Sequence, residues 1–355
     1  MKMKFLTILA TITILLSFTS IASVDQPKEI RFGEVGGTNV KSSGGRPTGT
    51  GLVALAQHLG FFEQEFGNNG PKISQVFFSG TGPAQNEALA QGVIEFGTYG
   101  GVPNVVGLSG GIPAHIIGTR RSTGAGRYYI GVGTDSPIKI IEDLRGKRIS
   151  VQKGTNPYQS LLKLLEWKGI AEKDVNLINL QGADALVAFN AGAVDAVYGG
   201  LNLLLLRDQG KLRVLEGSED FTLDVSQSGL LVASKFEKDY PDVVKRVVKV
   251  LIKTSWWASE EKNRKELLSF IADRSLAYKY VEEDYRGSLK ERYNPLIDES
   301  SVTAFKSIVL FAEQHKVIRK GPSEATIRSW FRPEYQQAAL KELKLESYWK
   351  TLAAK

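Results

Sequence analysis

The chain contains no cysteine. That excludes disulfides, thiolate catalysis and cysteine-based metal sites. It also excludes a lipid-modified cysteine as membrane tether, because Ala22-Ser23-Val24 stands where such a residue would sit. Histidine is nearly as scarce: His58, His115 and His315 lie far apart, and no His-x-x-x-His pair offers zinc spacing. There is no Walker A sequence and no Asp-rich calcium loop. Gly107-Leu108-Ser109-Gly110-Gly111 spells the Gly-x-Ser-x-Gly nucleophile elbow, but an elbow joins a strand to a helix. Here a helix precedes the motif and Gly-Ile-Pro follows it. Acidic pairs such as Glu282-Glu283 fall on polar helical segments and read as solvated faces. Nothing in this inventory points to catalysis, a cofactor or a metal.

Long apolar runs are also few. Lys2 and Lys4 precede the apolar Phe5–Ser17, and Ser20-Ile21-Ala22 follows as a small-residue cleavage pattern. Residues 1–22 are therefore expected to be a signal peptide, too short and Thr-rich for a membrane span. No second hydrophobic segment appears, so the expected destination is the periplasm, without a lipid anchor. The formal charge is +7, or +5 once Lys2 and Lys4 are removed. Basic residues are interleaved with acids, as in Glu260–Glu266, with no arginine-rich stripe, so no nucleic acid is expected. The mild positive balance fits an anionic ligand better.

What is present centres on residues 144–202. Arg148–Val151 reads as a strand, Lys153–Pro157 as a Gly-containing turn, and Leu161, Leu162, Leu164, Leu165 and Trp167 recur at helical spacing until Gly169. Val175–Leu180 and Val194–Tyr198 are further strands around a helix at Asp184–Asn190. Such alternation implies right-handed crossovers and a largely parallel sheet, with ligands beyond the strands' carboxyl ends.

This stretch has a counterpart: Gly82, Ala88, Gly92 and Gly100 answer Gly182, Ala188, Gly192 and Gly200, and Ile94-Glu95 answers Val194-Asp195. Either the chain carries two similar α/β lobes facing each other across a cleft, or two unrelated strand–helix–strand units happen to look alike.

Several Gly-rich turns follow strand ends. Glu29–Val35 leads into Gly36-Gly37-Thr38-Asn39 and Gly44–Gly51, a loop that either approaches a ligand or serves as a flexible connection. Ile73–Ser79 leads into Gly80-Thr81-Gly82-Pro83, where Thr81 can cap a helix, meet a ligand, or both. Ile116–Gly118 ends in Thr119-Arg120-Arg121, a guanidinium pair suited to a carboxylate, sulfonate or phosphate, or to a surface salt bridge. After Leu230–Ala233 the chain is mostly helical, and Trp256 and Trp257 fall at core spacing.

These turns resemble those of the nitrate/sulfonate/taurine family of periplasmic solute-binding proteins, and most closely the aliphatic-sulfonate binders. The likeness is clearest over residues 73–235. It rests on Asp135-Ser136-Pro137-Ile138, Asp143–Arg148, Lys153-Gly154-Thr155-Asn156, Ala183-Asp184-Ala185 and Gly192–Ala196. The resemblance implies an α/β fold of periplasmic binding protein type II: two lobes, a two-crossover hinge and a central cleft. Lobe 1 would comprise 23–127 plus 229–355, and lobe 2 would comprise 128–228. It further implies a non-enzymatic, monomeric protein that hands a small-molecule anion to a membrane ABC permease and its ATPase.

Carried over residue by residue, the resemblance nominates Gly37, Thr38, Asn39, Gly80, Thr81, Gly82, Tyr99, Gly100, Gly154, Thr155, Asn156 and Tyr158, to which Arg120 and Tyr198 are added from their strand ends. Two departures stand out. Tyr198-Gly199-Gly200-Leu201 replaces the family's frequent Trp-x-x-Pro, and the first loop is expanded at Lys41–Thr50. A TRAP-type receptor, an exported sensor ligand and a pyrimidine-synthesis enzyme of the same fold remain alternatives, the last disfavoured by the missing cysteines.

Overall fold

The computed structural model describes residues 26–35, 49–78, 81–121, 128–215, 227–274 and 276–350. The signal segment 1–22 and the nominated Gly37, Thr38, Asn39 and Gly80 lie outside the described residues.

Among the described residues, ten strands form two five-stranded sheets. In chain order they are β1 (Glu29–Val35), β2 (Lys72–Phe78), β3 (Phe96–Gly100), β4 (Ala114–Arg121), β5 (Tyr129–Val132), β6 (Arg148–Ser150), β7 (Asn176–Ile178), β8 (Ala196–Gly199), β9 (Arg213–Val214) and β10 (Gln227–Ala233). The first sheet has the order β2-β1-β3-β10-β4 and the second β7-β6-β8-β5-β9. In each, three parallel strands are followed by one antiparallel strand from the other side of a lobe crossing: β10 runs against β3 and β4, and β5 against β8 and β9. The chain passes to the second sheet after β4 and returns after β9, so it crosses between the sheets on two connections.

Helices α1 (Leu52–His58), α2 (Phe61–Phe66), α3 (Thr81–Ala90) and α4 (Gly101–Ser109) serve the first lobe. The second lobe carries α5 (Asn156–Trp167), α6 (Gly182–Asn190) and α7 (Asn202–Asp208). In α5, Leu161, Leu162, Leu164 and Leu165 are buried on one face as their spacing predicts. Trp167, grouped with them by spacing, closes the helix on its exposed side.

The lobes are built alike. Arg31 on β1 donates from its backbone N–H to Glu95 at 2.7 Å and from Nη2 to the Gly92 carbonyl at 2.8 Å. Arg148 on β6 does the same to Asp195 at 2.8 Å and to Gly192 at 2.8 Å. Gly92 and Gly192 adopt left-handed φ of 68° and 70°, which glycine tolerates without a Cβ penalty. The spacing noticed in sequence thus reflects one clamp used twice: an arginine on the first strand gripping the turn and acid that precede the third.

The tail consists of α8 (Ser234–Asp239), α9 (Pro241–Ser259), α10 (Arg264–Ala272), α11 (Tyr278–Asp284), α12 (Leu289–Arg292), α13 (Glu299–Gln314), α14 (Glu324–Ser329) and α15 (Pro333–Leu343). Its valines and leucines complete the core of the first sheet, where Phe32 stacks on Phe96 at 4.8 Å. The tail also reaches the second lobe. Phe311 of α13 packs edge-on against Tyr158, and Tyr280 of α11 is buried with Leu203 and donates to Asp208 at 2.9 Å. Trp256 and Trp257 pack against the two apolar clusters of the first lobe and tail. Gly107–Ser109 lies inside α4, with the Ser109 oxygen buried, so no nucleophile elbow forms.

Candidate functional site

A cavity of about 470 Å³ lies between the two lobes. Strand ends and helix starts face it, as expected for a sheet of this topology. From the first lobe come Glu34, Thr81, Gly82, Tyr99, Gly100 and Arg120; from the second come Tyr128, Thr155, Asn156, Ser160 and Gln181. A third wall is apolar and comes from the tail, with Val248, Leu251 and Ile252 of α9.

The wall's hydrogen-bonding capacity is uneven. Thr155 precedes α5, but its hydroxyl donates to the Gln152 carbonyl at 2.6 Å and so is committed within its own turn. Thr81 donates to the Gln152 side chain at 3.1 Å, a bond between the lobes. Its φ of 59° is a left-handed conformation that a β-branched residue adopts only under local constraint. Asn156 accepts the Val102 N–H at 3.0 Å, again across the lobes. Ser160 differs: its oxygen accepts from Tyr198 at 2.9 Å, which leaves its own hydrogen available toward the cavity.

The charges are arranged around this wall. Arg120 sits at the end of β4 and makes no ion pair among the described residues. Arg292 also faces the cavity, but Asp284 neutralises it at 2.8 Å and the Tyr285 ring lies 3.4 Å from its guanidinium carbon. Glu34 is 8% exposed, and its Oε1 has no hydrogen-bond partner. Burial pushes the Glu34 carboxyl up to about 7, with the Arg120 charge pulling the other way. Burial and the Asp284 charge raise the Tyr128 phenol to about 12 against the pull of Arg120.

Of the residues nominated from sequence, the cavity brings together Thr81, Gly82, Tyr99, Gly100, Arg120, Thr155 and Asn156. Three others lie off its wall. Tyr158 points into the second lobe, where its hydroxyl donates to Glu172 at 2.7 Å and its ring meets Phe311, because the helical turn after Asn156 carries it to the opposite face of α5. Gly154 takes a left-handed φ of 75° near Val317, where it shapes the turn. Tyr198 lines a smaller recess of about 180 Å³ and meets the main cavity's wall through its hydrogen bond to Ser160 and its ring contact with Tyr128 at 5.4 Å.

Sequence reasoning missed Glu34, Tyr128, Ser160 and the α9 wall. One signal was readable: Ile30, Phe32 and Glu34 share one face of β1 at period two, so a carboxyl occupies a core position. Ser160 and the α9 wall had no such marker, because their place depends on how the lobes and tail meet.

The sequence pattern of the NMT1/THI5-like family matches residues 48–263. A protein of Bacillus subtilis (strain 168), provisionally named an aliphatic sulfonates-binding protein, is 32% identical over 274 residues, spanning 76% of this chain and 79% of the relative. Among solved structures, SsuA of Methylobacillus flagellatus KT, described provisionally as the periplasmic sulfonate-binding protein of a sulfonate ABC transporter, superposes with a TM-score of 0.73 at 24% identity. That match covers 92% of this chain and 98% of the other. The desulfurization enzyme DSZB superposes with a TM-score of 0.62 at 16% identity, covering 89% and 99%. The fold is that of the periplasmic binding proteins, two α/β lobes about a cleft. With more than half of its length matched, the chain belongs to the NMT1/THI5-like family.

Proposed function

We propose that this chain is an exported solute-binding protein that captures a small organic anion of the sulfonate class between its lobes and delivers it to an ABC import permease. The observation that carries this reading is Arg120, a cation without an ion-pair partner among the described residues, on the wall of a cavity formed by both lobes. Ser160, with its hydroxyl hydrogen available, supplies a neutral donor from the second lobe. The interlobe bonds Thr81–Gln152 and Asn156–Val102 fit a closed state that hinge opening would break to admit ligand.

Binding rather than catalysis is supported by the missing cysteines and by the three histidines, none of which lies on the described cavity wall. The proposal includes removal of residues 1–22, a monomer free in the periplasm without lipid anchor, and a permease driven by its ATPase. The shared family and the sulfonate-binding relative support it.

The test is a thermal-shift screen of the mature chain against sulfonates, taurine, nitrate, bicarbonate and carboxylates. A ligand at about a hundred times its dissociation constant adds about 2.7 kcal/mol of stability. One anion class is expected to stabilise the protein, and Arg120→Gln and Ser160→Ala are expected to remove that shift. No stabilisation by any anion would overturn the reading.

A further inference from the structure

Glu34 is a buried acid of the described cavity wall that anion capture leaves without a role. It stands one residue before the end of β1, on the same face as Ile30 and Phe32, is more than nine-tenths buried, and its Oε1 has no hydrogen-bond partner among the described residues. Its carboxyl lies against the backbone of Gly51, where a Cβ would come within 3.0 Å of both oxygens. Glycine at that position therefore makes room for an acid rather than for a ligand's bulk. A buried acceptor without a donor is costly, and native proteins seldom keep one without a use.

Among the described residues, the cavity thus presents two side chains of opposite sign without an ion-pair partner, Glu34 and Arg120, both near first-lobe strand ends. Arg292 does not enter this balance, because Asp284 already neutralises it. A simple alkanesulfonate would satisfy Arg120 and leave Glu34 facing either an anion or a hydrocarbon. The cavity is also far roomier than a two-carbon sulfonate needs, and Val248, Leu251 and Ile252 give it an apolar side.

We infer that Glu34 sets specificity for a zwitterionic ligand, in which the acidic head meets Arg120, a cationic nitrogen donates to Glu34, and an apolar body lies along α9. This deepens the anion-capture reading and rests on it. A protonated nitrogen would supply the donor that Oε1 lacks and compensate the buried charge in the same contact. Without that nitrogen, Glu34 can accept a ligand's anion only by holding a proton itself.

The experiment compares two probes by isothermal titration calorimetry in a Tris buffer at about pH 8. They are N-cyclohexylaminopropanesulfonate, a zwitterion, and its all-carbon isostere cyclohexylbutanesulfonate. The native protein is expected to bind the zwitterion at least tenfold more tightly. Glu34→Gln is expected to bring the two within about threefold, mainly by weakening the zwitterion. Equal or tighter binding of the carbon isostere by the native protein overturns the inference while leaving anion capture standing. This includes isostere binding that tightens at lower pH through a protonated Glu34. Failure of the native protein to bind either probe or any simpler sulfonate overturns the anion reading and the inference with it. The native comparison decides the matter even if Glu34→Gln folds poorly.

Discussion

Asn156 of the second lobe caps a helix of the first, and Gly100 is what lets it in. Helix α4 begins after Gly100, which has no side chain with which to satisfy the first N–H groups. The Asn156 Oδ1 takes the Val102 N–H at 3.0 Å, the role an N-cap side chain ordinarily plays from within its own helix. A Cβ on Gly100 would come within 2.5 Å of that oxygen and 2.6 Å of the amide carbon. The backbone of Gly100 itself is ordinary, with φ −62°, so the requirement for glycine is one of space between lobes rather than of conformation.

Gly100→Ala is therefore expected to leave each lobe folded but to hold them apart. Ligand affinity should fall about tenfold or more, because closure must displace the Asn156 amide, while thermal stability without ligand changes little. Calorimetry with a bound anion, together with small-angle scattering with and without it, checks this. Unchanged affinity with a closed scattering profile would show that the cap is not part of closure.

Tyr158 gives the converse test. It was nominated for the ligand, yet its hydroxyl is bonded to Glu172, which also meets His315 at 2.7 Å. Tyr158→Phe should cost about 1 kcal/mol of stability through loss of one hydrogen bond, and leave ligand affinity unchanged. Urea melts and calorimetry separate the two effects. A large loss of affinity with no loss of stability would return Tyr158 to the site.

What could be read before folding follows from periodicity and spacing. The strand at Glu29–Val35 lies where its pattern places it, with Ile30 and Phe32 buried on one face, and the helix at Pro241–Ser259 buries a continuous apolar face. In α11 the polar helical segment around Glu282-Glu283 was legible, but not that Tyr280 on the same short helix is buried among second-lobe residues such as Leu203, a contact made far along the chain. In the candidate site, turns rich in glycine announced themselves, while Ser160 did not, since nothing local distinguishes it from a surface serine on α5. Asn156 was legible as a cleft residue but not as a cap for another helix, because that partner lies 54 positions away.

The paired clamps predict unequal costs for the same chemistry. Glu95 is 13% exposed at its side chain and Asp195 is 30% exposed, although each grips an arginine and a backbone N–H. Glu95→Gln should destabilise by about 2 kcal/mol and Asp195→Asn by about 1 kcal/mol, the better-solvated pair losing less. Denaturant melts of the two variants check the order. Equal losses would mean that backbone bonds, not the charge pairs, hold both turns.

Glu34 makes the stability of the empty protein depend on pH in a direction opposite to most carboxylates. Its ordinary value is 4.5, and burial raises it to about 7 in the folded chain, the Arg120 charge opposing. Between those values the folded state holds the proton and the unfolded state has released it. Stability from this group is therefore full below about 4.5 and is lost as pH rises toward and past 7. Glu34→Gln removes the ionisation, so its advantage over the native protein should grow with pH, to an order of 3 kcal/mol by about pH 8. At about pH 4 the native acid is neutral and the two chains should be nearly equal. Urea melts of both proteins across this range, without ligand, give the comparison. Parallel stability curves would mean that Glu34 is paired or solvated in solution, and that the cavity holds no uncompensated acid for a ligand to meet.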